Sequence, residues 1–388
     1  MDLEAVLETC REMFQDPTFA AVRRWKAAHP GRKAIGCFPV YVPEEIIHAA
    51  GMLPVSLFGG GNMIEIDHAD SRIQSFICSI SRSTLELGLT GRLDVFDGLV
   101  FPSICDVARN LSGVWQRNFP HQLSFYIHFA QNIYSVNAVP YLRSEYDRLR
   151  QALEELGGMP ITEEALRHSI AVYNENRALL RQLYDLKRRS PEKVSMAETY
   201  TLVRAGGLMP KEEHNALLRQ VLPALEARQA RPMDRIRVVL DGAFCEQPPI
   251  EVIMGIEQAG CYILDDDFAV GRRWLEAPVA LDGEAADALT ALARAFIRHS
   301  LPSPVRYDGP RVRTQRFLEK CQALQVDGVL FVWAKFCDPA QFDYVLLKDA
   351  LDRAHIPHLA IEFEEKMSVF ELVRSQVETF VESILFYS

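Results

Sequence analysis

The chain has 388 residues, 48% of them hydrophobic, enough to bury a sizeable core and to divide into two or three domains of ordinary size. A formal net charge of -10 excludes the basic stripe that a nucleic-acid surface needs, and it disfavours anionic membranes. No apolar run approaches the roughly 18 residues of a membrane span, and the acidic, amphipathic first ten residues lack the regions of a signal peptide, so the expected setting is the cytoplasm.

Residues 1–33 read as a lead-in helix, with Leu3, Val6, Leu7 and Phe14 on one stripe. From 34 to 140 the pattern changes to short apolar runs, such as 52–58 and 98–101, separated by amphipathic stretches, which is how βαβ units read. Strand signals vanish over 141–232, where charged residues alternate with Leu and Ala at helical spacing. The βα pattern returns over 233–388, with runs at 236–240, 261–264 and 329–333. The expected fold class is therefore α/β: two Rossmann-like, doubly wound, mainly parallel domains, with a helical segment between them in sequence.

The two α/β regions also resemble each other. Asp97-Gly98-Leu99-Val100-Phe101 leads to Cys105-Asp106, and Asp327-Gly328-Val329-Leu330-Phe331 leads to Cys337-Asp338. Upstream, Cys37 precedes Pro43-Glu44-Glu45-Ile46-Ile47 and Cys245 precedes Pro249-Ile250-Glu251-Val252-Ile253. Order and offsets match, so the domains read as two related copies.

Eight cysteines in a large cytosolic chain are reduced thiols, metal ligands or core residues rather than a disulfide framework. Cys105 and Cys337 each follow a buried-strand pattern and precede an Asp where a helix would start. In open α/β sheets that edge collects ligands, and a helix amino terminus lowers a thiol's pKa. Cys78 sits inside an apparent helix beside Ser79, Ser81, Arg82 and Ser83. Three such thiolates converging from two domains can bind a four-iron cluster. Against this, free cysteine packs as a small hydrophobe; Cys10, Cys261 and Cys321 read that way, and a chain with no metal at all stays open. No Cys-x-x-Cys pair exists, which argues against a zinc ribbon. Cys37 and Cys245 are the rivals for a fourth ligand, and binding by either would close the cluster to substrate.

The stretch from Gly36-Cys37-Phe38-Pro39 through Pro43-Glu44-Glu45-Ile46-Ile47-His48-Ala49-Ala50-Gly51 to Leu53-Pro54-Val55 resembles the opening signature of the 2-hydroxyacyl-CoA dehydratase and benzoyl-CoA reductase superfamily. Within it the likeness is to the C subunits of benzoyl-CoA reductases. It continues in order through Cys78, Cys105-Asp106, residues 265–272, Cys337-Asp338 and the closing helix at 371–380. The resemblance implies one 4Fe-4S cluster held by three cysteines, carried over onto Cys78, Cys105 and Cys337. It implies a homologous second subunit, ATP-hydrolysing activator subunits fed by a ferredoxin-type donor, and an aromatic acyl-CoA as substrate. The function so implied is electron transfer that dearomatises the ring, in anaerobic aromatic degradation. A 2-hydroxyacyl-CoA dehydratase subunit and a non-catalytic electron-relay subunit are the alternatives. Where family members carry Gly-Gln-x-x-Thr-Arg before the last helix, this chain reads Met367-Ser368-Val369-Phe370-Glu371-Leu372-Val373-Arg374, so only Arg374 offers a counterpart.

Three other features carry less. Gly59-Gly60-Gly61-Asn62 follows a strand and reads as a flexible turn, with a CoA phosphate contact as the functional alternative. Asp265-Asp266-Asp267 reads as a solvated strand end paired with arginines rather than a cation site. His48, His68, His121 and His128 are candidate proton donors that the sequence does not rank, so no catalytic residue is assigned.

Overall fold

The apolar runs that open each βα unit form strands, and the amphipathic stretches between them form the helices that let parallel strands join. The computed structural model describes residues 2–268, 277–281, 287–306, 310–364, 367 and 370–387. The strands are β1 (Ala34–Cys37), β2 (Leu53–Ser56), β3 (Gly98–Pro102), β4 (Leu123–Ile127), β5 (Ile236–Asp241), β6 (Cys261–Asp265), β7 (Gly328–Ala334) and β8 (His358–Phe363). They make two four-stranded parallel sheets, ordered β2-β1-β3-β4 and β6-β5-β7-β8. The same order appears twice, compatible with two Rossmann-like units. Every residue of β1, β3 and β7 is buried, as expected of strands covered on both faces.

The repeated Asp-Gly has a structural reason in both sheets. Asp97 accepts a hydrogen bond from the Ala34 amide at 2.9 Å, and Asp327 accepts one from the Arg237 amide at 2.6 Å, so each aspartate ties the third strand of its sheet to the first. The glycine that follows permits close approach: a Cβ on Gly98 would lie 2.5 Å from Leu123 Cβ, and one on Gly328 would lie 2.7 Å from the Phe380 ring.

Between β4 and β5 run helices at Ala138–Gly157, Glu163–Arg189, Met196–Ala205 and Lys211–Ala227. One continuous apolar core underlies both sheets. A second gathers Leu7 and Cys10 with Leu183, Leu202, Leu218 and Leu225 from three of those helices. Residues 1–33 thus do not form one lead-in helix. They form two, Leu3–Gln15 and Ala20–Ala28, the first packed into the second core. The break falls at Asp16-Pro17, where Asp16 turns its carboxylate onto the Thr18 and Ala20 amides at 2.8 and 2.7 Å.

His214 sits at the centre of that helical layer, 1% exposed. Its Nδ1 accepts from Asn176 at 2.8 Å and its Nε2–H donates to the Leu202 carbonyl at 3.0 Å, which fixes a neutral ring. Burial, with repulsion from Lys211, pulls its pKa down to about 3. The unfolded chain takes up a proton at His214 below its ordinary 6.5, and the folded one does not until about 3. The stability this residue contributes is therefore full above that ordinary value and is lost as pH falls, at about 1.4 kcal/mol per pH unit. A His214→Gln variant, able to keep both hydrogen bonds, is expected to show a shallower acid dependence of its urea midpoint; identical slopes would contradict the assignment.

Candidate functional site

The site is built where strands end and helices begin. Cys105 lies three residues past the end of β3 and is the N-cap of the Asp106–Asn118 helix. Its Sγ accepts the Ala108 amide at 3.4 Å. Cys337 lies three residues past the end of β7 and caps the Asp338–Arg353 helix, whose first turn is suited to Pro339. The residue before it, Phe336, holds the left-handed φ of 64°, a conformation costly for a bulky side chain and found where a loop must aim a neighbour. Cys78 is likewise an N-cap, of the Ser79–Leu89 helix, with Sγ 3.4 Å from Ser81 Oγ. It stands at the start of that helix, not inside it as its pattern suggested, because residues 72–77 before it form turns.

The fold brings these three thiols together. Cys78 feels both Cys105 and Cys337, and Cys105 feels Cys337. Three helix amino termini, each a partial positive charge, thus carry thiols close enough to influence one another. A fourth thiol joins them: Cys245, on the loop after β5, hydrogen-bonds with Cys337 and is in electrostatic contact with Cys78 and Cys105. Its counterpart Cys37 does not. Cys37 is the last residue of β1 rather than a loop residue, and its Sγ lies 3.8 Å from the Ile35 carbonyl. Cys10, Cys261 and Cys321 are buried at 3%, 0% and 1% exposure, as the core reading expects.

Burial dominates the thiol chemistry. It pushes Cys78 well above the ordinary thiol range, with the Glu246 carboxylate adding to the effect, and raises Cys105 to about 11. Cys245 is raised first by its hydrogen bond with Cys337 and then by burial. Without a positive partner these groups stay protonated. Among the described residues, no three Cys, His, Asp or Glu side chains are grouped so as to hold a metal ion.

Glu246 is the site residue that the sequence reading missed. It is 7% exposed, and its carboxylate accepts from Ser79 Oγ and, at 3.1 Å, from the Ile80 amide, capping the Cys78 helix from the loop that carries Cys245. Burial raises its pKa to about 7. The available signal was its place directly after one of two matched cysteines.

The sequence matches the model of a protein family described as 2-hydroxyglutaryl-CoA dehydratase, D-component, over residues 39–384. The chain belongs to this dehydratase family. It is 42% identical to the C subunit of the benzoyl-CoA reductase of Thauera aromatica, covering 100% of both chains. It is 30% identical to the beta subunit of (R)-2-hydroxyglutaryl-CoA dehydratase of Acidaminococcus fermentans, over 99% of this chain and 100% of that one. It is 29% identical to the beta subunit of lactoyl-CoA dehydratase of Anaerotignum propionicum, over 98% and 99%. The family resemblance drawn from the motifs therefore holds over nearly the full length.

Other features of this dehydratase-family chain are settled by their contacts. Gly59 and Gly61 take φ of 72° and 51°, and with Asn62, Arg204 and Glu246 they line a cleft of about 180 Å³. Asn62 pairs with the backbone of Met367, accepting its amide at 3.0 Å. The acidic triplet is not a solvated strand end: Asp265, Asp266 and Asp267 are 2%, 3% and 4% exposed, because the Glu163–Arg189 helix packs over the end of β6. Arg188 pairs with Asp265 at 2.7 Å, and the fully buried Lys187 stands 3.6 Å from Asp266. Gly271, Arg272, Arg273, Ser368 and Val369 lie outside the described residues. Arg374 pairs with Glu378 at 3.0 Å along its own helix. His48 is held by Ser169 and Glu212, and His68 by Glu86. No helix among the described residues is long and apolar enough to cross a membrane.

Proposed function

We propose that the chain is the iron–sulfur subunit of an ATP-dependent, low-potential aromatic acyl-CoA reductase, with Cys78, Cys105 and Cys337 holding one 4Fe-4S cluster. The observation that carries this is the proximity of three thiols, those of Cys78 and Cys337 buried and that of Cys105 half-buried, each at the amino terminus of a helix. The donor set fits the group. Soft sulfur ligands suit iron–sulfur clusters, and each corner iron of a cubane takes its own thiolate, so the ligating sulfurs stand farther apart than donors around one ion. Loading displaces the thiol protons that burial otherwise retains.

When bound, such a cluster supplies single electrons at low potential. The chain's own residues would do the rest. The Ala108 amide donates to Cys105 Sγ, and with Cys78 bound as a thiolate the neighbouring Ser81 hydroxyl would donate to its Sγ; both bonds would tune that potential. The apolar walls around the thiols exclude water. Two domains, at 34–140 and 233–388 with helices over 141–232, would close on the cluster, and the Gly59–Gly61 turn with Arg204 would face the CoA portion. A homologous second subunit, an ATP-hydrolysing activator and a ferredoxin-type donor would complete a cytoplasmic assembly. The full-length match to a benzoyl-CoA reductase subunit supports the aromatic substrate.

A second reading, a 2-hydroxyacyl-CoA dehydratase subunit, is supported by the family description and by the two beta subunits. The assembled complex, supplied with activator, ATP and reductant, distinguishes them. Electron consumption coupled to loss of the benzoyl-CoA ring absorbance is expected; loss of water from a 2-hydroxyacyl-CoA without net electron consumption would replace the reductase reading.

A further inference from the structure

We propose that the cavity at the carboxyl ends of β5 and β6 binds a phosphorylated sugar, of the kind a nucleotide carries. None of the described residues that line it is a cysteine, and the inference does not depend on the cluster assignment.

The cavity measures about 380 Å³, within the range of small-molecule sites. Asp241, the last residue of β5, lines it together with Asp265, the last of β6, and the two aspartates that follow. The Pro310–Leu324 helix supplies a second wall through Arg313, Arg316, Phe317 and Lys320, which recur at helical spacing on one face. The carboxyl ends of strands in an open parallel sheet are where ligands collect.

Several of the charges are already matched within the protein. Arg188 pairs with Asp265 at 2.7 Å, and Lys187 stands 3.6 Å from Asp266. Arg313 donates to both oxygens of Asp343, at 3.0 and 2.8 Å, and to the Pro302 carbonyl at 2.8 Å. Asp241 is placed differently. It is 2% exposed, Arg313 approaches it only to 3.6 Å, and no described residue donates a hydrogen bond to it. A buried carboxyl left so carries a desolvation cost that a ligand hydroxyl would offset. Toward solvent, Arg316 is exposed and Lys320 half-buried, and neither forms an ion pair with a described residue. They stand one helical turn apart, with Cβ atoms about 5–6 Å from each other, close enough to hold one phosphate between them.

An unmet acceptor at depth and two unpaired cations nearer solvent call for a ligand with hydroxyl donors at one end and an anion at the other. A sugar phosphate has both, and an acid at a strand end is the usual partner of a ribose hydroxyl. A bare divalent cation fits poorly, since no three acids among the described residues are grouped to hold one.

The test is calorimetric titration of the full chain with ribose 5-phosphate, inorganic phosphate, AMP and CoA. Ribose 5-phosphate is expected to bind one to one, roughly tenfold or more tightly than phosphate alone. Replacing both helix cations, Arg316→Gln with Lys320→Gln, should weaken ribose 5-phosphate at least as much, and Asp241→Ala should remove its advantage over phosphate. Tighter binding of AMP than of CoA assigns the site to a free nucleotide, and the reverse order assigns it to the nucleotide end of an acyl-CoA. No saturation by ribose 5-phosphate at millimolar concentration, affinity equal to that of phosphate, or binding unchanged in the helix variant overturns the proposal. If Asp241→Ala does not fold, the wild type and the helix variant decide. Iron content is read separately, so an iron-free chain that binds the sugar phosphate ends the cluster reading and leaves this one standing.

Discussion

Alanine at Cys78, Cys105 or Cys337 is expected to drop the iron content of the anaerobically purified chain to roughly a tenth or less of the wild type, whereas alanine at Cys321 leaves it unchanged. Each of the three positions combines a strand-end or turn location, an N-cap and electrostatic proximity to the other two sulfurs. Removing one leaves a corner iron without its thiolate, and nothing on the local backbone can replace it. Cys321 supplies the control because it is more buried than any of the three, at 1% exposure, but packs as a member of the apolar core. Its loss removes only van der Waals contact. Iron and sulfide analysis, with the unfolding midpoint of each variant alongside, separates ligand loss from instability. Equal iron loss in all four variants would remove the basis for the assignment.

The sequence carried the strands well, because in parallel sheets covered on both faces the apolar run is itself the signal. The runs at 98–101, 236–240, 261–264 and 329–333 all fall within β3, β5, β6 and β7. The repeat of Asp97-Gly98 in Asp327-Gly328 was legible for a physical reason now visible: one carboxylate must cap the neighbouring strand, and one glycine must let a side chain close over it. What the pattern misplaced depends on three-dimensional crowding. Cys37 and Cys245 occupy matched offsets, yet β1 runs on through Cys37 while β5 stops at Asp241 and turns at Gly242. The acidic triplet looked solvated because no local residue announces that a helix some 80 positions earlier will lie across it. For Glu246 the one signal in the sequence is its place directly after Cys245; its role as a cap is not legible, since its partners are 167 and 166 positions away.

That distant contact leads to the second large effect. Glu246→Ala is expected to lower stability by about 2 kcal/mol, because it removes a helix cap and leaves the Ile80 amide buried without an acceptor. It also frees the loop that carries Cys245 from the start of the Cys78 helix, so the reconstituted chain should lose iron to a chelator faster than the wild type. Glu246→Gln should recover most of the stability, since its carbonyl still accepts one of the two hydrogen bonds. The two substitutions part company over pH. Burial raises the Glu246 carboxyl from 4.5 to about 7, so the folded chain holds this proton more tightly than the unfolded one. The stability that follows is fully present below the ordinary value and is lost as pH rises through about 7. Denaturant titrations of the iron-free chain on either side of neutrality should therefore show the wild type weakening with rising pH and Glu246→Gln, which cannot ionise, weakening less. If both chains respond to pH alike, the carboxyl is not the buried proton holder described here, and the link between the two loops is only a hydrogen bond.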